Sequence, residues 1–179
     1  MPDPAIRLAT LADASACAKI YAHHVQHGTA SFETEPPDAA GMSARMAKVL
    51  DAAEPWLIAC GPSGGVLGYA YAAQFRDRPA YRHACEDSIY VADAARGTGV
   101  GTALLTALLA AAEAHGFRQM IAVIGGVEPA SAALHARAGF VETGRMRSVG
   151  RKHGRWLDTL YMQRALGAGD TFPPESEPT

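Results

Sequence analysis

Arg96-Gly97-Thr98-Gly99-Val100-Gly101 lies between a short apolar strand and a long alanine-rich helix, and this placement constrains the chain more than any other feature. Glycines at alternate positions let backbone N–H groups converge on one point with no side chains in the way. The next helix is predicted over Val100 to His115 from the helical spacing of Val100, Leu104, Leu105, Leu108 and Leu109. Its unpaired N–H groups and positive dipole end face the same point. Such a concavity suits a phosphate or pyrophosphate, with Arg96 and the Thr102 hydroxyl in position to contribute. A Walker loop is excluded because Thr102-Ala103 follows Gly101 where Lys-Ser/Thr is required. The dinucleotide fingerprint GxGxxG has a different glycine spacing. The plain alternative is a turn that only links strand to helix.

Around this turn the pattern reads β-α-α-β-β-β-α-β-α-β-β. The first strand is Ile6 to Leu8, and Thr10 with Asp13 resembles a capping box opening a helix from about Leu11 to His27. An irregular loop, Gly28 to Pro37, precedes a second helix over Asp38 to Ala53 with Met42, Met46, Val49 and Leu50 on one face. Strands follow at Trp56 to Cys60, Val66 to Phe75 and Ser88 to Val91. After the glycine turn and its helix, stopped by Gly116, come a strand at Met120 to Ile124 and a helix at Pro129 to Ala138. Strands near Val141 to Val149 and Trp156 to Gln163 close the pattern. A single domain over 1–166 is expected, with a frayed Pro-, Gly- and Glu-rich tail over 167–179. Strands that run together and then alternate with helices imply a mixed sheet with helices on both faces.

Bulk properties narrow the partners. A net charge of -2 gives no electrostatic reason to bind nucleic acid or an anionic membrane. No apolar run reaches the roughly 18 residues of a membrane span, and Met1-Pro2-Asp3-Pro4 lacks the features of a signal peptide, so the cytoplasm is the expected location. The three cysteines, Cys17, Cys60 and Cys85, form no CxxC pair, so neither a disulfide framework nor a metal site is expected.

Arg96, Gly99 and Gly101 fit the Q/R-x-x-G-x-G/A motif after a short strand, and Leu134-His135-x-x-x-Gly139-Phe140 fits a helix leading to a Gly-Phe pair. In both, the chain resembles the GNAT acetyltransferase superfamily. Four further stretches resemble its phosphinothricin N-acetyltransferase family, which includes acetyltransferases for methionine sulfone and sulfoximine. They are Thr29 to Pro37, Phe75-Arg76-x-Arg78-x-x-Tyr81-Arg82, Glu86-x-Ser88-Ile89-Tyr90-Val91, and Lys152 to Asp158. The resemblance implies an α/β (α+β) GNAT fold, with a mixed, mostly antiparallel twisted sheet of about six to seven strands. It also implies acetyl-CoA as co-substrate, no metal, and a homodimer.

The resemblance assigns site residues as well. Glu86 is the expected general base for the amine, and His135 stands where many family members carry a tyrosine acid. His135 is equally readable as a structural residue on its helix face. A backbone N–H from the Ile89-Tyr90-Val91 strand is expected to meet the oxyanion. Glu128 occupies the place of a usual asparagine, and since an ionised carboxylate cannot donate, Ser131 is the expected substitute toward the pantetheine arm. Arg76 and Arg78, two apart and expected on one strand face, suit an anionic acceptor beside Tyr81. Phe32 and Glu33 are expected to close the pocket, with Lys152 and His153 approaching from the last hairpin or a partner subunit. The alternatives are acetylation of another amine, such as a polyamine or protein N-terminus, and a non-catalytic acetyl-CoA-binding module. A polyamine would call for a carboxylate-rich pocket, which the arginine pair argues against.

Overall fold

The computed structural model describes residues 4–174. Seven strands form one sheet: β1 (Ala5–Leu8), β2 (Trp56–Cys60), β3 (Val66–Gln74), β4 (Ala84–Val91), β5 (Gln119–Gly125), β6 (Val141–Lys152) and β7 (Arg155–Ala165). Their spatial order is β1-β2-β3-β4-β5-β7-β6. Every neighbouring pair is antiparallel except the central β4–β5 pair, which is parallel. The helices are α1 (Ala14–His27), α2 (Ala39–Asp51), α3 (Val100–His115) and α4 (Pro129–Arg137). The mixed sheet with helices on both faces matches the expectation, and the element order is the one read from the sequence.

Each face has its own apolar layer. Cys17, Ile20, Tyr21 and Val25 of α1 and Met42 and Met46 of α2 pack on Trp56, Ile58 and Tyr69. Trp56 stacks on Tyr71 with ring centroids 4.3 Å apart, and Tyr90 closes the aromatic row against Tyr21 and Tyr69. On the other face, Val100, Leu104, Leu105 and Leu108 of α3 lie on Leu57, Ala59, Ala70 and Ala72. Small alanines on the sheet let the leucines of α3 approach closely, and each buried leucine contributes about 2 kcal/mol.

Local rules explain several boundaries. Asp13 anchors the first helix: its carboxylate accepts the Thr10 N–H at 2.9 Å and both Arg7 amino groups at 2.8 and 2.6 Å. Those bonds hold the Asp13 carboxyl down at about 2. The helix opens as a short 3-10 turn over Leu11–Asp13 before α1 proper. β3 ends at Gln74, one residue before the expected end, while β4 starts at Ala84, four residues before the expected Ser88. Glu86 is therefore inside a strand rather than ahead of one. The final hairpin is longer than expected and turns on His153 and Gly154, at φ 48° and 74°, the two left-handed positions of a tight two-residue turn. Its edge strand β6 carries Arg145, Arg147 and Arg151, which solvate the sheet edge. The expected tail begins with two hydrogen-bonded turns, Gly169 N–H to Leu166 O and Thr171 N–H to Ala168 O. Residues 175–179 lie outside the described residues.

Candidate active site

The sheet opens at its centre. β4 and β5 pair only from Ala84 with Gln119 to Asp87 with Ala122 and then diverge. Ala92 N–H donates to Leu67 O of β3, and strand alternation turns the N–H groups of Ser88 and Tyr90 the same way. The N–H groups of Ile89 and Val91 therefore face the gap, where no strand receives them. Of the three residues expected to supply an oxyanion donor, the register leaves these two. A cavity of about 60 Å³ occupies the gap, lined by Ser88, Ile89, Ile124, Ser131 and His135 among others.

Ile89, Ala30 and Ser131 also border a groove of about 600 Å³ running between the N-termini of α3 and α4. The glycine turn forms its floor. Gly97 and Gly99 sit at φ 74° and 92°, where side chains are strained. A side-chain carbon on Gly101 would come within 3.5 Å of Leu134 on the facing wall. Thr98 is exposed, its hydroxyl donating to Ala95 O at 2.7 Å, while Arg96 stands exposed 3.7 Å from Asp93. Thr102 lies exposed on the first turn of α3, and Val100 is buried beneath it. On the far wall Glu128 precedes α4 without a side-chain capping bond and borders the groove. Two polar lining residues are not among those expected from the sequence. Arg137 ends α4, and His24 of α1 lies 2.9 Å from Val91 O, to which its Nε2–H donates. Burial pushes the His24 imidazole toward its neutral form.

His135 is buried within α4 rather than displayed on it. Its Nδ1 lies 2.8 Å from Ser131 O and its Nε2 3.0 Å from Asp87 Oδ2. Burial works against a charged ring here, but the Asp87 hydrogen bond and charge outweigh it and raise the His135 pKa. Asp87 Oδ1 is buried with no hydrogen-bond partner. Asp87 was absent from the sequence reading.

Glu86 projects from the opposite face of β4, between Ala73 and Ile121 in the register. Among the described residues no hydrogen bond to its carboxylate is found, and burial raises its pKa, with Arg76 pulling the other way. The expectation that Arg76 and Arg78 share a strand face is corrected. Gln74 Nε2 donates to Arg76 O at 2.6 Å and Arg78 O at 3.1 Å, curling the chain out of the sheet before Pro79. Arg76 folds over the Phe75 ring at 4.1 Å, near enough to Glu86 to act on it, whereas Arg78 precedes a 3-10 turn on the surface. Tyr81 lies edge-on to Phe75, and both border an open concavity with Ile121, Arg145, Met146 and Tyr161.

The loop after α1 closes against the last hairpin. Lys152 is buried and donates its Nζ to Ser31 O at 2.7 Å, and His153 Nε2 donates to Gly28 O at 3.3 Å. Burial lowers the Lys152 pKa, opposed by the Glu33 charge. Phe32 packs so closely over Gly150 that any side chain there would displace its ring. Glu33 is held by Arg45 of α2 through a two-point pair at 2.8 and 3.1 Å, so its carboxylate is already committed.

A GNAT acetyltransferase domain model matches residues 6–161. The chain belongs to the GNAT acetyltransferases. It is 54% identical over 164 residues to a phosphinothricin N-acetyltransferase of Alcaligenes faecalis, spanning 91% of this chain and 83% of that one. It is 40% identical to an L-methionine sulfoximine/L-methionine sulfone acetyltransferase of Pseudomonas aeruginosa, over 94% of this chain and 98% of that one. A crystal structure of a GNAT superfamily phosphinothricin acetyltransferase from Sinorhizobium meliloti in complex with acetyl-CoA superposes with a TM-score of 0.95. That chain is 46% identical, with 98% of this chain and 95% of that one covered.

As a GNAT enzyme the protein uses acetyl-CoA as its donor. The groove's glycine floor meets the α3 N-terminus, whose free N–H groups are of the kind that suits an anion. Its inner end meets the gap where Ile89 and Val91 hold unpaired donors. Among the described residues no group of three or more His, Cys, Asp or Glu is arranged to hold a metal ion. No helix among them is long and apolar enough to cross a membrane.

Proposed function

We propose that this GNAT enzyme acetylates the α-amino group of a small, anionic, amino-acid-like acceptor of the phosphinothricin or methionine sulfone/sulfoximine type. The observation that carries this reading is Glu86: a carboxylate without a hydrogen-bond donor among the described residues, raised in pKa by burial, beside the Arg76 guanidinium. Glu86 takes the ammonium proton, directly or through one water, and its raised pKa makes it a better acceptor for that proton. The freed amine attacks the acetyl carbonyl, and the N–H groups of Ile89 and Val91 receive the developing oxyanion. His135 supplies a proton to the departing thiolate. Arg96 and the backbone of Gly97 to Gly101, with Thr102, bind the pyrophosphate, while Glu128 and Ser131 border the pantetheine arm. Arg76, with Arg78 and Tyr81 at the rim, selects a carboxylate or phosphinate. Phe32, Glu33, Lys152 and His153 shape the loop that closes the acceptor side.

Two further elements belong to the proposal. The enzyme is a cytoplasmic homodimer, a reading supported by exposed Met146, Val149 and Trp156 along the last hairpin. An acceptor screen by thiol release from acetyl-CoA tests the whole. Turnover with phosphinothricin, methionine sulfone or methionine sulfoximine is the expected result. Turnover confined to polyamines or peptide N-termini would overturn it.

A further inference from the structure

The contacts around His135 fix a proton count. Ser131 O accepts only, so the 2.8 Å contact places a proton on His135 Nδ1. Asp87 Oδ2 stands 3.0 Å from Nε2, and neither atom carries a lone proton unless one is supplied between them. The pair therefore holds a second proton, whichever of the two atoms it rides on. The two side chains are 4% and 2% exposed, so bulk water reaches the pair only by way of the cavity that both line. Asp87 Oδ1 meets no donor, which leaves the carboxylate's charge directed at His135 alone. No other charged side chain among the described residues faces the ring. From α4 it meets the Ser131 carbonyl and hydroxyl, from the chain before β6 the edge of Phe140 at 5.0 Å, and from β5 apolar Ala122 and Ile124. His135 and Asp87 both line the gap between β4 and β5.

We propose that Asp87 is a positioning residue that keeps this second proton on His135, and that the pair is the proton store for the departing CoA thiolate. The inference rests on the acetyl-transfer reading above and deepens it. In the transfer step the amine nitrogen bonds to the acetyl carbon and the carbon–sulfur bond breaks. Having passed the ammonium proton on to solvent, Glu86 takes the second proton that the nitrogen loses as the amide forms, and the sulfur takes the Nε2 proton. The Asp87 carboxylate and a neutral His135, still bound to Ser131 O through Nδ1–H, remain. Between turnovers Glu86 releases its proton and the pair regains one from solvent, so charge and protons balance.

The first measurement uses the enzyme alone: the imidazole nitrogen resonances of His135 followed against pH by NMR. Both nitrogens are expected to stay protonated above the ordinary histidine midpoint of 6.5. In Asp87→Asn the midpoint is expected to fall below the wild-type value, because burial is then opposed by the Ser131 carbonyl alone. The second measurement is kinetic. Asp87→Asn is expected to lower kcat by about 10- to 100-fold at alkaline pH, with the deficit shrinking toward acidic pH and the KM for acetyl-CoA nearly unchanged. A purely structural tie between β4 and α4 would not move either pH profile in this way. A singly protonated His135 at pH 6.5 in the wild-type enzyme overturns the proposal. So does a variant whose ring midpoint falls while its kcat–pH profile keeps the wild-type form. The ring titration needs no substrate, so a failed acceptor screen and a failed proton store are separate results.

Discussion

Glu86 and Asp87 are neighbours in the chain, yet β4 turns them to opposite faces of the sheet. Asp87 enters the α3–α4 layer, where His135 meets it and the surroundings are closed. Glu86 stands on the face that α1 and α2 cover only as far as β4, and beyond it Ile121 leads to an open concavity. One carboxylate is given a partner and shut in; the other is buried in part and given none. Two identical chemical groups one residue apart thus acquire separate tasks through strand alternation alone. The open side suits a base that must exchange protons with an incoming amine, and the closed side suits a proton with little access to bulk water.

The largest break in this comparison is Glu86→Gln. Turnover is expected to fall by about 1,000-fold while acetyl-CoA binding measured by calorimetry is unchanged, since the groove lies on the other side of β4. Near-wild-type turnover at saturating acceptor would remove Glu86 from the base role. Arg76→Leu sharpens the same contrast at smaller scale. The KM for an anionic acceptor is expected to rise about tenfold. The acidic limb of kcat/KM should also move to higher pH, because Arg76 opposes the rise in the Glu86 pKa. A limb that stays in place would show that the guanidinium acts on the acceptor only.

The smallest effect is on stability. A carboxyl whose pKa is higher in the folded chain destabilises the fold wherever it is ionised, fully above its folded value and not at all below its ordinary 4.5. Glu86→Gln removes that penalty, so at neutral pH the melting midpoint is expected to rise by about 2–4 °C. The gain should fade as the pH approaches 4.5. A variant that melts below the wild type at pH 7 would mean that Glu86 has a stabilising partner.

The glycine turn and its helix were legible because their signals are local: φ demands, spacing and a capping glycine all sit within a few residues. Asp87 was not legible, for a reason specific to β4. The adjacent charges of Glu86 and Asp87 are poor strand formers and hide the strand's first half, so the sequence pattern starts it only at Ser88. Drawn from Ala84, its alternation sets Cys85, Asp87, Ile89 and Val91 on one face, and a carboxylate in that apolar row is the signal that was available. Arg76 and Arg78 failed in the opposite direction. Their spacing of two suits a strand, but Pro79 and the Gln74 side chain bend the backbone away first. His24 could not be found at all from sequence, since its place on the groove depends on how α1 crosses the end of β4.

The two tryptophans stand in unlike surroundings. Trp56 is 2% exposed and stacked on Tyr71, which lies opposite Ser88 in the β3–β4 register, two residues along the same sheet face from Glu86. Trp156 is 63% exposed on the last hairpin, with Arg151 over its ring. Their fluorescence is therefore separable by colour: a blue-shifted emission that senses the acceptor side, and a red-shifted one that senses whatever covers the hairpin. The chain carries an intrinsic optical readout of both its catalytic interior and its outer surface, with no label attached.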